Sequence, residues 1–153
     1  MDWLQGMNEV VDHIEDNLTC EIPLASLAKI LGCSTYEFSR VFSFIAGISV
    51  SEYIRRRRLS QAVFDIQTGK ESIIDIALKY GYESQSAFTR AFKELHGHTP
   101  ANSRNTGVSL KTYPKITFKL VVKGIVEMDF KIVTKESFKI IGYKCSGEWN
   151  DWV

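Results

Sequence analysis

Residues 73–104 read IIDIALKYGYESQSAFTRAFKELHGHTPANSR, and this stretch predicts two short helices joined by a tight turn at Gly81. Ser72 precedes the first helix in a capping-box pattern, with an acidic residue three positions on, and Ser84 can cap the second helix. A glycine and then a Thr-Pro pair mark the end of the second helix and the start of another. Two short helices about a glycine turn form a helix-turn-helix. One apolar stripe at helical spacing follows the second helix, formed by Phe88, Ala91, Phe92 and Leu95.

The same pattern occurs earlier in the chain. Residues 24–55 read LASLAKILGCSTYEFSRVFSFIAGISVSEYIR, and Gly32 precedes Gly81 by 49 positions. The later part of the repeat is offset by 50 positions, so the extra residue falls in the turn, where a loop can absorb it. Further capping boxes are expected at Ser34 and Ser49, each followed by a glutamate three positions on. The chain therefore contains an internal duplication of a helix-turn-helix unit, pairing Phe38, Arg40, Phe42 and Gly47 with Phe88, Arg90, Phe92 and Gly97.

The later copy, IIDIALKYGYESQSAFTRAFKELHGHTP, closely resembles the signature of AraC-family transcription regulators. The resemblance covers roughly residues 8–105 and implies a seven-helix DNA-binding domain with two helix-turn-helix units. It also implies a cytoplasmic, nucleoid-associated bacterial regulator that activates or represses transcription. The implied partners are double-stranded DNA and RNA polymerase. The expected architecture is mainly α, with two helix-turn-helix units joined by a connector helix and a short β-strand segment at the C-terminus.

The second helix of each unit has a polar face opposite its apolar stripe. At about 100° per residue, the apolar side chains point one way and the polar set points the other. Arginine can bind guanine through two hydrogen bonds, glutamine suits adenine, and serine or threonine can contact bases or phosphates. Either face alone would be read as an ordinary solvated surface. The two matched faces together, each with an arginine in the same place, predict DNA contact by Tyr36, Ser39, Arg40, Ser43, Gln85, Ser86, Thr89, Arg90 and Lys93.

A connector helix is predicted within residues 49–69, and its apolar face changes side midway. Its first half should therefore pack on one unit and its second half on the other. Some 15 residues give roughly 22 Å of rigid spacing, and the flanking helices could extend this toward one DNA turn, about 34 Å. Four consecutive arginines, Arg55 to Arg58, spread around this helix. We expect most of them to be solvated and paired with acids such as Glu52, with one or two phosphate contacts.

Charge is distributed unevenly along the chain, whose formal net charge is +1. Residues 1–21 carry six acids and no lysine or arginine, whereas residues 22–107 carry 11 basic and 7 acidic residues, a balance of +4. DNA affinity depends on charge at the contact face more than on the total. We therefore expect the acidic first helix, near residues 3–17, to face away from DNA while its apolar side covers the first unit. That side consists of Trp3, Met7, Val10, Val11, Ile14 and Leu18.

The sequence gives no indication of a catalytic, phosphate-binding or metal site. It shows no glycine-rich phosphate loop, no metal-ligand cluster and no nucleophile with a placed base, so we expect no enzyme, no metal and no cofactor. His13 is interpreted as a solvated side chain, and His96 and His98 as polar loop residues. Three widely spaced cysteines fit reduced thiols in a cytoplasm. We also expect no signal peptide and no membrane association.

The chain changes character after residue 107. Ile116, Phe118, Leu120 and Val122 alternate with polar residues, which predicts a half-buried strand, and residues 130–133 and 138–141 suggest two more. The stretch MDFKIVTKESFKIIGYKCSG, residues 128–147, resembles the opening of the GyrI-like effector-binding domain that follows the DNA-binding domain in some AraC-family regulators. The expected domains are thus 1–107, the double helix-turn-helix unit, and 108–153, a β-rich segment that is the truncated start of an effector-binding domain.

Two other functions stay open at this stage. The chain could be a ligand-sensing or interaction protein whose C-terminal segment binds a small cationic or amphipathic effector while the helices only transmit the signal. Hydrolytic chemistry in a complete GyrI-like domain is a more remote alternative. A bipartite DNA site would favour the main hypothesis, whereas a ligand-dependent change in the fluorescence of Trp149 and Trp152 would favour the sensor.

Overall fold

The computed structural model describes residues 3–105 and 108–120, and within these ranges the chain is helical. The predicted architecture, two helix-turn-helix units joined by a connector helix, is confirmed. The helices are α1 Trp3–Asp16, α2 Leu24–Ile30, α3 Thr35–Ala46, α4 Val50–Thr68, α5 Ile73–Lys79 and α6 Gln85–His96, followed by a 3₁₀ turn at Asn102–Arg104. The first unit comprises α1, α2 and α3, the connector is α4, and the second unit comprises α5 and α6.

The turn that joins the two helices of each unit differs in length by one residue. Four residues separate α2 from α3, and five separate α5 from α6, which places the extra residue of the second copy where the repeat offset predicted it. Gly32 and Gly81 both adopt positive φ in these turns, +65° and +78°. The glycines are needed there because other residues are strained in this backbone region.

Serine side chains begin four of the helices, as predicted. The hydroxyls of Ser34, Ser49, Ser72 and Ser84 each accept a hydrogen bond from a backbone N–H in the first turn. Among the helices that the structure describes, only α3 has the full reciprocal capping box, with the Glu37 side chain accepting from the Ser34 backbone. At the start of α4, the glutamate instead accepts hydrogen bonds from two arginines of its own helix.

The connector helix belongs to two hydrophobic cores, one in each unit. Val50, Tyr53 and Ile54, in its first half, pack with Phe38 and Phe42 of α3. The second half contributes to the other core, which contains Leu59, Ala62, Val63, Ile66, Ile76, Ala77, Phe88, Phe92 and Leu95. The predicted change of apolar face along this helix is confirmed. A 19-residue helix spans about 28 Å, longer than the sequence estimate.

Two apolar residues beside the first core are exposed, and one of them, Trp3, was predicted to cover this unit. Trp3 at the start of α1 is 42% exposed, and Ile45 near the end of α3 is 49% exposed. Both line a shallow apolar depression that also includes Met7 and Leu120. The repeat partner of Ile45, Leu95, is only 9% exposed and belongs to the second core.

The four arginines of α4 are bonded within the protein, which corrects the expectation that most would be solvated. Arg55 and Arg56 pair with Glu52, as anticipated. The Arg57 side chain is only 10% exposed and donates to both carboxylate oxygens of Glu15 on α1, at 2.8 and 2.7 Å. Arg58 donates to the backbone carbonyls of two residues beyond α1. Tertiary packing of α1 on α4, which the sequence run alone does not reveal, supplies these partners.

Residues 108–120, here called the return segment, run back across both units. Leu110 and Tyr113 pack against the second core, whereas Ile116 and Phe118 pack against the first. The Asn8 side chain hydrogen-bonds both the N–H and the carbonyl of Phe118, at 2.9 and 3.0 Å. The strand predicted at 116–122 is therefore wrong over its described part. Ile116 and Phe118 do face inward, but Leu120, predicted to do the same, is 75% exposed. A side chain of α1 takes the place of a neighbouring strand. The strands predicted at 130–133 and 138–141 lie outside the described residues.

His96 is buried rather than a polar loop residue. It is the last residue of α6 and only 3% exposed, and its two ring nitrogens face the carbonyl oxygens of Lys111 and Leu59. A neutral imidazole can donate only one hydrogen bond, so only the protonated ring could satisfy both carbonyls. Burial nevertheless outweighs the two carbonyls and lowers the pKa of His96 below its ordinary value of 6.5.

We expect the lowered pKa of His96 to make stability depend on pH. The unfolded chain binds a proton near pH 6.5, whereas folded His96 binds it only at lower pH, so the free energy of unfolding should fall as pH drops below about 6.5. Urea unfolding from pH 8 to pH 5 measures this dependence. In His96→Gln the decline should be shallower; equal slopes in the parent and the variant would contradict the assignment.

The last helix implied by the family resemblance is shorter than expected. The Thr99 hydroxyl accepts from the backbone N–H of Asn102, as an N-cap should, but only a 3₁₀ turn follows. Ser103 is fully buried and donates its hydroxyl proton to the Thr99 carbonyl. The structure therefore gives six α-helices and one turn over the described part of the chain, not seven helices. Across these same residues, no helix has the length and apolar character needed to cross a bilayer.

Candidate nucleic-acid interface

The second helix of the second unit, α6, presents the polar face that its sequence predicted. Ser84 caps its start, Gly97 ends it in a left-handed conformation, and Phe88 and Phe92 are fully buried on its inner side. The opposite side is exposed except for one half-buried threonine. One open depression on this side is lined entirely by predicted contact residues, namely Gln85, Ser86, Thr89, Arg90 and Lys93.

The equivalent helix of the first unit, α3, presents a face with more aromatic character. Tyr36 is 74% exposed and Arg40 is exposed, whereas Ser39 and Ser43 are half-buried. The full capping box at Ser34 fixes the start of this helix and hence the direction of its first turn. All four predicted contact residues therefore reach solvent, and none lies in the core.

Phe44 is an exposed side chain on α3 that the sequence analysis did not include. It is 89% exposed and shares a small surface depression with Arg40 and Val41. The spacing of Tyr36, Arg40 and Phe44, four residues apart, was the signal that could have identified it, since such residues form one ridge along a helix. The repeat partner of Phe44 in α6 is Glu94. A phenylalanine can contact the methyl group of thymine, which a glutamate cannot.

The two helix faces differ from the rest of the described surface in that their arginines have no partner among the described residues. The chain has seven arginines, and five of them (55, 56, 57, 58 and 104) donate to carboxylates or backbone carbonyls of the protein. No hydrogen bond or ion pair within residues 3–105 and 108–120 involves the remaining two, Arg40 and Arg90. These two occupy equivalent repeat positions, so each unit has one guanidinium available to an outside partner.

The acidic side chains of α3 and α6, Glu37 and Glu94, are engaged with other groups. Hydrogen bonds from the side chain and backbone of Ser34 lower the pKa of Glu37 at the start of α3. Glu94 on α6 lies 3.9 Å from Arg55 of the connector. Because these carboxylates have partners elsewhere, they do not neutralise Arg40 or Arg90 directly. The free cations, with the neighbouring hydroxyl and amide groups, suit an anionic ligand that also has hydrogen-bonding edges.

Metal chemistry finds no support in the described residues. Within 3–105 and 108–120, no group of three histidine, cysteine or acidic side chains is placed to hold an ion. Cys20 and Cys33 are both free thiols. What the exposed faces offer is a set of hydrogen-bond donors and acceptors on two capped helices.

Comparison with known proteins places this fold among transcription regulators. A family described as "Helix-turn-helix domain" matches residues 27–106. The transcriptional activator AarP of Providencia stuartii is 40% identical over 95 residues, which cover 62% of this chain and 70% of AarP. The probable transcription factor PqrA of Proteus vulgaris is 36% identical over 109 residues, covering 70% of this chain and 89% of PqrA.

A longer relative matches almost the whole chain. The transcriptional regulator Rob of Salmonella typhimurium is 34% identical over 152 residues, which cover 97% of this chain and 52% of Rob. The match therefore continues past residue 107 into the segment whose structure lies mostly outside the described residues. The chain spans about half the length of this relative.

Solved structures share the helical arrangement. An AraC-type regulator from Chromobacterium violaceum superposes with a TM-score of 0.61 at 26% identity, over 65% of this chain and 89% of that one. The DNA-binding domain of AdpA, solved in complex with a target DNA, superposes with a TM-score of 0.59 at 25% identity, again over 65% and 89% of the two chains. The double helix-turn-helix fold is thus shared with domains of this type.

Proposed function

The chain belongs to the AraC family of helix-turn-helix transcription regulators, and from this premise we propose that it binds double-stranded DNA in a sequence-specific way. In this proposal α3 and α6 are the recognition helices, and each enters the major groove of one half-site. The contacts come from the nine residues identified in the sequence, with Arg40 and Arg90 as the central pair. Phe44 adds an apolar contact at the first half-site.

The observation that carries this proposal is the pairing state of the arginines. Five arginines are held by partners within the protein, whereas the two at equivalent repeat positions are exposed and unpaired among the described residues. An arginine fork binds O6 and N7 of guanine through two hydrogen bonds, at about 1–3 kcal/mol of discrimination per good contact. Neighbouring Ser, Thr, Gln and Lys side chains can add base and phosphate contacts.

The connector supports a two-groove arrangement. A helix of 19 residues is a rigid spacer of about 28 Å, and the recognition helices lie beyond its two ends in the chain. Successive major grooves on one side of a duplex are about 34–36 Å apart. One chain could therefore occupy two half-sites, an arrangement for which a single helix-turn-helix protein needs a dimer.

Selection of binding sites from random duplex DNA tests this function. The full chain is expected to enrich a bipartite site whose half-sites are centred about 10 base pairs apart. The matched control is the double variant Arg40→Ala/Arg90→Ala, which lacks the central arginine of each recognition helix. It should enrich no consensus. If the parent also enriches no consensus, or enriches a single half-site, the two-groove proposal is wrong.

We also propose that the sequence after the return segment opens a further domain that senses a small molecule, whereas residues 108–120, predicted as the start of that domain, pack on the two helical cores. The match to Rob over 152 residues supports the idea that the sequence beyond residue 107 belongs to a longer regulator. Titration of amphipathic organic cations against the full chain, following the fluorescence of Trp149 and Trp152 in a Trp3→Phe background, tests it. A saturable change is expected, and an unchanged spectrum across the series would argue against sensing by this chain.

RNA polymerase is a second proposed partner, and the cytoplasm, at the nucleoid, is the proposed location. Both follow from the family, whose members regulate transcription. In vitro transcription from a promoter carrying the selected site is expected to change when the full chain is added. Transcription that stays the same at saturating protein would leave DNA binding without a regulatory output and would contradict the polymerase proposal.

A further inference from the structure

A cleft separates the two helix-turn-helix units along one side of α4. Ile22 and Leu24 line it from the first unit, and Tyr80, Gly81 and Tyr82 line it from the second. Rocking of one unit against the other would change the width of this cleft and the angle between α3 and α6. The connector lines the rest of the cleft with Ser51, Ile54, Arg55 and Arg58.

Arg58 contacts both units from its position on the connector. Its Nε donates to the Leu18 carbonyl at 2.8 Å, and one Nη donates to the Cys20 carbonyl at 2.6 Å, both in the turn after α1. Its other Nη lies 3.1 Å from the position that a Cβ would take on Gly81, so the guanidinium rests against the turn of the second unit. The planar, multi-donor guanidinium holds such a geometry better than a single ammonium could.

We propose that Arg58 is a positioning residue that fixes the orientation of α3 relative to α6. By bonding the turn after α1 and packing against the turn of the second unit, it sets the half-site spacing that the protein accepts. This inference rests on the proposed DNA-binding function. Arg58 needs no contact with a base for this role, since it acts through the two recognition helices. Adding one base pair between half-sites rotates one of them by about 35°, because a DNA turn holds about 10–10.5 base pairs.

The spacing profile is the measurement that separates positioning from simple stabilisation. Duplexes that carry the selected half-sites at the optimal spacing, one base pair shorter and one longer are titrated with the full chain. The parent should bind the altered spacings on the order of tenfold more weakly, since a displaced half-site loses contacts of about that value. In Arg58→Ala, affinity for the duplex of optimal spacing should fall only a few-fold, since the base contacts themselves are retained. The loss of affinity caused by altered spacing should shrink to about two-fold.

Two controls isolate the role of Arg58. Arg56→Ala removes the same charge from the connector, but its partners are Glu52 of the same helix and the Tyr113 ring of the return segment. This variant should keep the sharp profile of the parent. Arg58→Lys keeps the charge without the planar fork and should broaden the profile in the same direction as alanine.

A pair of glycine variants tests the same contact from its other side. Gly81→Ala and Gly32→Ala both place a side chain at positive φ in a helix-turn-helix turn. Only the first would press on Arg58, because a Cβ on Gly32 has nothing within 4 Å. Gly81→Ala should therefore broaden the spacing profile, whereas Gly32→Ala should lower stability similarly and leave the profile sharp.

The outcomes separate this inference from the function beneath it. A parent with a sharp spacing optimum, together with equally sharp profiles in the Arg58 and Gly81 variants, would overturn the positioning role and leave DNA recognition intact. A parent that binds without any preferred spacing would overturn both. If Arg58→Ala fails to fold, the Gly81→Ala and Gly32→Ala comparison decides alone, and equal profiles in that pair would refute the proposal.

Discussion

Arg90→Ala is expected to weaken binding to the selected site by about 1–3 kcal/mol, and to do so by relaxing base preference in one half-site only. Arg90 has no partner among the described residues, so its removal costs little inside the protein and removes a contact only at the DNA. Arg40→Ala should have the same effect on the other half. Fluorescence anisotropy with duplexes altered at one base pair in either half measures both effects.

Each arginine variant controls for the other. Arg90→Lys retains a positive charge but loses the fork, so it should keep the salt dependence of the parent and lose base discrimination. If Arg40→Ala and Arg90→Ala both bind every duplex as the parent does, these faces do not read DNA. A uniform loss across all duplexes would instead indicate phosphate contacts.

Glu15→Ala is expected to lower the free energy of unfolding by about 3–5 kcal/mol, since it leaves a mostly buried arginine without a carboxylate partner and, among the described residues, with the Tyr113 carbonyl as its remaining acceptor. Glu15 accepts two hydrogen bonds from Arg57 and a third from the Tyr53 hydroxyl at 2.9 Å. This cluster joins α1 to α4, and its two charged side chains are only 13% and 10% exposed. Urea unfolding followed by circular dichroism gives the change.

Two further variants show whether the cost comes from the unpaired charge. Arg57→Met in the Glu15→Ala background should recover part of the stability, because no uncompensated charge remains. Glu9→Ala removes an exposed acid from the same helix, whose one hydrogen-bond donor among the described residues is Gln5, and should change stability by less than about 0.5 kcal/mol. A Glu15→Ala protein as stable as the Glu9→Ala control would contradict the buried-pair assignment.

Local patterns predicted the features of this fold that depend on neighbours in sequence. Ser34, Ser49, Ser72 and Ser84 were identified as caps because a cap bonds to the backbone of its own first turn. The change of the repeat offset from 49 to 50 residues located the extra turn residue from the sequence alone. The change of apolar face along α4 was also readable, since burial on either side is encoded in the 3.6-residue period.

Partners distant in sequence could not be predicted in this way. Arg57 and Arg58 looked like solvated cations because their acceptors, Glu15 and three backbone carbonyls, lie 38 to 56 residues away. His96 looked like a loop residue because its acceptors come from α4 and the return segment. Alternation identified Ile116 and Phe118 as inward side chains, but it wrongly included Leu120, which is 75% exposed. Alternation also does not say whether a strand or a helix covers the inward residues.

The sequence predicted the polar residues of the candidate site and missed the apolar one. Polar residues opposite an apolar stripe marked the face, and all nine reach solvent to some degree. Phe44 was missed because an apolar side chain on a helix is normally assigned to the core. The pairing state of Arg40 and Arg90, which is the strongest argument for their role, needed the whole set of tertiary contacts.

Hydroxyl-radical footprinting of the full chain on a selected duplex most directly tests whether one molecule places two recognition helices on one side of the DNA. Two protected patches centred about 10 base pairs apart are expected, on the same face of the duplex, with one patch weakened by Arg40→Ala and the other by Arg90→Ala. A single protected patch, or two patches about 5 base pairs out of phase and hence on opposite faces, would contradict it.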